Sequence, residues 1–303
     1  MISALKPWDV PNLISTEEAM ENLKEYMRDK QREAEEEKAN PKPKAVLPST
    51  QPVITISLEE HSKGLVAGFL NDKGIFEEIK DLAVAKYKSA KPLMLPVYND
   101  KVVQGSNPFY AVLVNEVLRL DSTQRLWTAS QVDIERTLRA GDILKIKNNY
   151  YVDTALVLRS PEDSYEPNNP LAKDLSKQVK ERLGKDMKLP VMMPLHSLDL
   201  KLDPNNEYGL GFNLREDAQL VYAPVLNKKG NFSSVNPETG LPVELDDKGT
   251  RFLYARQGGL CRLGLGRDLD LGSDWDDLGL SSEAGRVVVC GEAAQKNLES
   301  IVE

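Results

Sequence analysis

Read at period two, residues 263–277, LGLGRDLDLGSDWDD, put Leu263, Leu265, Arg267, Leu269, Leu271, Ser273 and Trp275 on one side of a strand and only Gly or Asp on the other. The leucine side reads as core. The opposite side carries the residue types that strands tolerate worst, because Gly packs nothing and Asp competes for backbone amides. Upstream, GIFEEIKDLAVAKYKSA has the three-four spacing of a helix that buries one face, and TASQVDIERTLRAGD predicts a short helix capped by Thr128 or Ser130 and stopped at Gly141. NPFYAVLVNEVLRL is apolar all round and fits a buried helix or a buried strand equally. ILKIKNNYYVDTALVL reads as a hairpin around Asn148 and Asn149, and PLAKDLSKQVKERLGKD as an amphipathic helix ending at Gly184. Beyond it come short strands and turns, LPVMMPL, YGLGFNL, AQLVYAPVL and RFLYAR, closed by GRVVVC, a run typical of a central strand. Helices early and strands late predict an α+β fold.

The first fifty residues differ in kind. Ser15 with Glu18 forms a capping box for a helix over about 16–38, whose apolar positions stop at Met27 and leave the charged run RDKQREAEEEK. NPKPKAVLPSTQP follows, four prolines that favour an extended linker. The expected organisation is therefore a helix and Pro-rich linker over 1–52 and one domain over 53–303.

Composition narrows the chemistry. The chain has 303 residues, 41% of them hydrophobic, enough for a substantial core. A formal charge of −8 argues against nucleic acid as partner. Cys261 and Cys290 are the only cysteines and read as buried free thiols; with only His61 and His196 beside them, thiolate zinc clusters and multi-histidine metal sites are nearly closed off. No run reaches the ~18 apolar residues of a membrane span. No basic start precedes an apolar stretch at the N-terminus, so no membrane insertion is expected and the cytoplasm is the default location, with display at a surface by association open.

YGLGF lacks the full glycine fingerprint of a nucleotide site and reads as a tight turn. DLDLGSDWDD crowds Asp268, Asp270, Asp274, Asp276 and Asp277, but Gly272 stands where a calcium loop requires its third alternating ligand. His61 and His196 have no local triad pattern. No metal and no cofactor is expected. The remaining feature is the two-faced segment: leucines that anchor a frame, and intervening side chains set out on it as a binding surface.

The stretch LYARQGGLCRLGLGRDLDLGSDWDDLGLSSEAGRVVVC, with alternating leucines, a WDDL core and a closing GRVVV, resembles the variable region of variable proteins of diversity-generating retroelements, in their archaeal branch. LPVYND, GSNPFYAVLVNEVLR, DTALVLRSPEDSYEPN, YGLGFNL and YAPVLNKKGNFSS resemble the constant part, so the likeness runs from Pro92 to Ala293. The resemblance implies a C-type lectin fold, no catalysis, and a variable region of about 258–289 displayed on a strand-and-loop scaffold. It implies a ligand-binding set of Gly264, Gly266, Arg267, Asp268, Asp270, Asp274, Asp276, Asp277, Leu280 and Ser282. It also implies scaffold positions Leu263, Leu265, Leu269, Leu271, Trp275, Leu278, Gly285 and Arg286. In that family, diversification alters adenines in template codons, which reaches every residue of the ligand-binding set but not Trp or Glu. Trp275 and Glu283 are then fixed, while Leu260, Arg262, Gly272 and Ser273 fall on either side.

The expected function is hypervariable binding of a protein or other macromolecular ligand. The alternatives are an enzyme on the related fold of formylglycine-generating enzymes, whose copper-binding cysteine pair Cys261 and Cys290 match poorly, and a structural protein assembled through its N-terminal helix.

Overall fold

A computed structural model describes residues 59–62, 65–120, 125–139, 150–184, 187–266 and 268–292. The helix and linker expected over 1–52, Gly141, the turn expected at Asn148 and Asn149, and Arg267 lie outside the described residues.

In chain order the elements are β1 (Glu59–Ser62), β2 (Leu65–Phe69), α1 (Lys73–Tyr87), α2 (Lys91–Met94), β3 (Val97–Asn99), β4 (Val102–Gln104), α3 (Pro108–Leu118), β5 (Leu126–Thr128), α4 (Gln131–Arg139), β6 (Tyr151–Leu158) and α5 (Asn169–Leu183). Then come β7 (Val191–Pro194), β8 (Leu198–Leu202), β9 (Leu210–Leu214), β10 (Val221–Tyr222), β11 (Gly230–Phe232), β12 (Arg251–Ala255), β13 (Leu260–Leu265), β14 (Leu271–Trp275), β15 (Gly285–Arg286) and β16 (Val288–Glu292). The fold is α+β, with a large sheet curled into a half-barrel.

Local chemistry explains the helices. The ambiguous apolar run is α3: Asn107 Oδ1 accepts from the Tyr110 N–H at 2.9 Å and Pro108 opens the first turn, so a cap decides what periodicity left open. Ser130 and Asp133 close the start of α4 reciprocally, Asp133 Oδ2 accepting from the Ser130 N–H at 3.0 Å and hydroxyl at 2.7 Å. In α1, Asp72 caps Ile75, and Ile75, Phe76, Ile79, Ala83 and Tyr87 form the buried stripe.

The large sheet has the order β10-β7-β6-β13-β14-β12-β11, with β15 pairing on β6; β12 and β14 run parallel, as do β15 and β6. A second sheet, β1-β2-β16-β5, is antiparallel throughout and carries Val288–Cys290 of the GRVVVC run in an interior position, as its apolar character predicts. Gly285 and Arg286 of the same run pair with β6 in the large sheet, so the run is split between the two sheets rather than forming one strand. Both faces of β6 are buried. Leu156 and Leu158 enter a core shared with α1, α3 and α5, while Ala155 and Val157 enter a second core that holds Leu263, Leu265, Leu271, Val288 and both cysteines. Cys261 and Cys290 are free and buried, on different sheets. YGLGF is the end of a turn, closed by Gly209 N–H on the Asn206 carbonyl at 3.1 Å, that leads into β9. Among the described residues no helix is long and apolar enough to cross a membrane.

The leucine sorting is measurable. Leu263→Ala, at a fully buried site, should cost about 2–5 kcal/mol. Leu280→Ala, at a site 54% exposed, should stay within about 0.5 kcal/mol. Urea unfolding of the two variants checks this, and similar losses would contradict the assignment.

Candidate functional site

The leucine register holds for Leu263, Leu265 and Leu271, which are fully buried in the second core. It fails at Trp275. Gly264 pairs with Gly272 but Arg262 pairs with Trp275, so two steps along β13 match three along β14, a β-bulge around Ser273 and Asp274. The extra residue turns Trp275 onto the glycine side. Arg159 holds the bulge, donating to the Ser273 carbonyl at 3.0 Å, to its Oγ at 2.7 Å and to Cys261 Sγ at 2.8 Å.

The glycines follow from this. A Cβ on Gly272 would lie 2.8 Å from Trp275 Cζ2, and one on Gly264 would lie 3.1 Å from its Cζ3 and 2.7 Å from the Val152 carbonyl oxygen. Both glycines are buried beneath the half-buried indole. The expectation that Gly264 is displayed and Trp275 lies among the core leucines is therefore corrected, because a single bulge exchanges their environments. Leu269 also departs from the expected buried scaffold: it is half-buried in the β13–β14 turn at φ 64°, with the Gly266 N–H bonded to the Asp270 carbonyl at 2.8 Å. Leu278, Gly285 and Arg286 are buried as expected, the Arg286 guanidinium standing 4.1 Å over the Tyr150 ring.

Around Trp275 the frame is built of polar groups. The Arg262 guanidinium lies 5.1 Å from the Trp275 ring and 5.5 Å from the Tyr151 ring, and the two rings meet edge to face at 5.9 Å. Asp153 Oδ1 stands 3.5 Å from Arg262, while Asp153 Oδ2 accepts from Ser106 Oγ at 2.8 Å. Burial pushes the Asp153 carboxyl above the usual carboxylate range, and Arg262 and Ser106 oppose that shift.

The loop after β14 is gripped by its backbone. Arg262 donates to the Leu280 carbonyl at 3.0 Å, and Asn168 Nδ2 to the Asp276 carbonyl at 2.7 Å. The Tyr208 hydroxyl accepts from the Leu278 N–H at 3.3 Å, and the Tyr151 hydroxyl from the Ser282 N–H at 3.2 Å. Asp276, Leu280 and Ser282 are exposed, Asp276 Oδ1 accepting from the N–H of the next residue, Asp277, at 3.0 Å. Asp277 is half-buried and differs: its Oδ1 accepts from the Gly279 and Leu280 N–H groups at 2.9 and 3.1 Å, which makes it a turn cap.

Asp270 likewise serves the backbone, accepting from the Phe252 N–H at 2.6 Å. Asp268 and Asp274 are exposed, and a Cβ on Gly266 would meet the Asp270 carbonyl oxygen at 3.6 Å, an ordinary contact that leaves it room. Gly266, Asp268, Asp270 and Asp274 share one cleft of about 290 Å³ with Tyr254, Gly272 and Trp275. Burial raises the Asp274 carboxyl from its ordinary value, its own N–H and Arg159 oppose the rise, and Asp276 adds to it. Tyr254, 44% exposed, was not anticipated, although its alternation with buried Leu253 in RFLYAR marks an outward aromatic. Among the described residues, no group of three or more acidic, His or Cys side chains is arranged to hold a metal.

Away from this segment, Ser130, Asp133 and His196 line a second cleft, of about 770 Å³. The Ser130 hydroxyl donates to Asp133 rather than to the imidazole, and burial lowers the His196 pKa. Ser130, Asp133 and His196 therefore form no serine–histidine–aspartate relay. No protein-family model, curated protein or solved structure matches the chain.

Gly272→Ala, whose methyl meets the indole, should destabilise by about 1–3 kcal/mol. Gly266→Ala should shift stability by less than about 0.5 kcal/mol. Thermal unfolding decides, and equal effects would remove the role given to Trp275. Calcium at millimolar concentration should leave Tm unchanged, because Asp270 and Asp277 already serve backbone N–H groups; a rise of several degrees abolished by EDTA would contradict this.

Proposed function

We propose that the chain is a non-enzymatic ligand-binding protein whose hypervariable surface is written by a diversity-generating retroelement and carried on a C-type lectin fold. The observation that carries the reading is how the segment after β14 is held: Arg262, Asn168, Tyr208 and Tyr151 fix it through its carbonyls and N–H groups. Side chains at such positions can change with little loss of packing, which is what a diversified surface on a rigid frame requires. The displayed set is Asp268, Asp274, Asp276, Leu280 and Ser282, with Gly266 able to accept a side chain. Gly264, Asp270 and Asp277 leave that set, because their roles in the fold are already occupied.

In this variant the surface is acidic, with Tyr254 and Trp275 beside Asp268 and Asp274 in one cleft. That lining suits a macromolecular partner presenting a Lys or Arg side chain, which meets carboxylate and aromatic face together. Because Asp274 titrates above its ordinary value, a cationic partner should bind more weakly as pH falls through that range, where the carboxylate is lost.

The test is selection from a random-peptide phage library against the full chain and against a variant with Asp268, Asp274, Asp276 and Leu280 replaced together by Tyr, Asn, Ser and Tyr. The wild type should enrich Lys- or Arg-bearing peptides, and the variant should keep its circular dichroism while enriching a different set. Unfolding of the variant, or the same peptides from both, would overturn the reading.

A further inference from the structure

The 770 Å³ cleft lies between the end of α3, β5, the start of α4 and the stretch following β9, and it shares no lining residue with the variable segment. Its size falls within that of small-molecule sites. Leu118 and Leu126 are buried at its floor and half-buried Trp127 supplies an aromatic wall. The floor is fixed. Asn115 accepts from the Thr128 N–H at 2.7 Å and donates to the Ala111 carbonyl at 3.3 Å, tying α3 to β5, and Asp133 accepts from Trp127 Nε1 at 2.9 Å.

The charged groups of the cleft are unequally matched. Asp217 chelates Arg215 through both carboxylate oxygens, at 2.9 and 3.2 Å, and Arg136 stands 3.8 Å from Asp133. Arg119 is served by Asp199 Oδ1 alone, at 2.6 Å, and that oxygen is shared with Arg215 at 3.4 Å. A guanidinium has five N–H donors and the Arg119 side chain is 30% exposed at the cleft, so donors remain accessible to a group that enters it. Burial, then the neighbouring Arg215 charge, lowers the Arg119 pKa, with Asp199 and Glu116 opposing. A planar anion is the group that a guanidinium fork takes up bidentately.

We propose that this cleft binds a small organic acid, its carboxylate or phosphate on Arg119 and its apolar or aromatic body against Trp127 and Leu126. Binding here is independent of the variable surface, so the frame carries a fixed ligand site as well as a changeable one.

Calorimetric titration of the full chain with benzoate and with phenyl phosphate tests this, with benzyl alcohol as the uncharged counterpart. At least one acid should bind with a Kd of about 1 mM or below and benzyl alcohol should not. Preference between the two acids identifies the anionic group. Arg119→Gln should weaken binding by roughly tenfold or more, while Asp268→Asn, in the other cleft, should leave it unchanged. If Arg119→Gln lowers the unfolding midpoint, Arg119→Lys decides, because it keeps the charge but loses the fork and should still weaken binding. Absence of binding by both acids, binding of benzyl alcohol as tight as theirs, or affinity unaltered by the deciding Arg119 substitution would overturn the proposal.

Discussion

The indole of Trp275 over Gly264 and Gly272 is the contact on which the geometry of the segment depends. It exists because a bulge near Ser273 inserts one residue and brings the tryptophan across the sheet. Arg159 fixes that bulge from beneath and Arg262 covers the ring from the side, itself tied to buried Asp153. With the ring in place, the paired glycines are the residues that let an aromatic lie flat on a sheet. Their lack of side chains is a packing solution.

The same contact divides the segment. On one side, Leu263, Leu265 and Leu271 fill the core between the two sheets. On the other, the ring and the backbone clamps hold the chain from Asp276 to Ser282 without using the side chains at Leu280 or Ser282, and at Asp276 with a bond from the adjacent Asp277 N–H, at 3.0 Å. Structural demand and display are separated position by position, not strand face by strand face. This separation is the physical basis for reading the segment as a changeable binding surface.

Much of the frame was legible in the chain. Caps and three-four spacing marked α1, α4 and α5, and the apolar end of GRVVVC marked an interior strand, although its Gly285 and Arg286 belong to the other sheet. The leucine register was legible for the same reason, since burial repeats at period two. Trp275 was misplaced because a bulge breaks that period without a residue type that signals it. Asp270 and Asp277 read from the sequence as displayed groups, because an aspartate bonded to a backbone N–H has the same pattern as an aspartate offered to solvent. The Arg119 cleft was invisible for a different reason: its walls come from residues as far apart as Asn115 and Glu238, which only the fold brings together.

The most direct measurement is deep sequencing of the encoding locus across a population, together with any near-repeat of the segment encoding residues 258–289. Variation should be confined to codons that pair with adenines in the repeat and should concentrate at Asp268, Asp274, Asp276, Leu280 and Ser282. Gly264, Gly272 and Trp275 should stay constant, because the indole leaves no room for a Cβ beneath it. A uniform segment without a repeat, or replacement at Gly264 and Gly272 as frequent as at Asp274 and Asp276, would contradict the account.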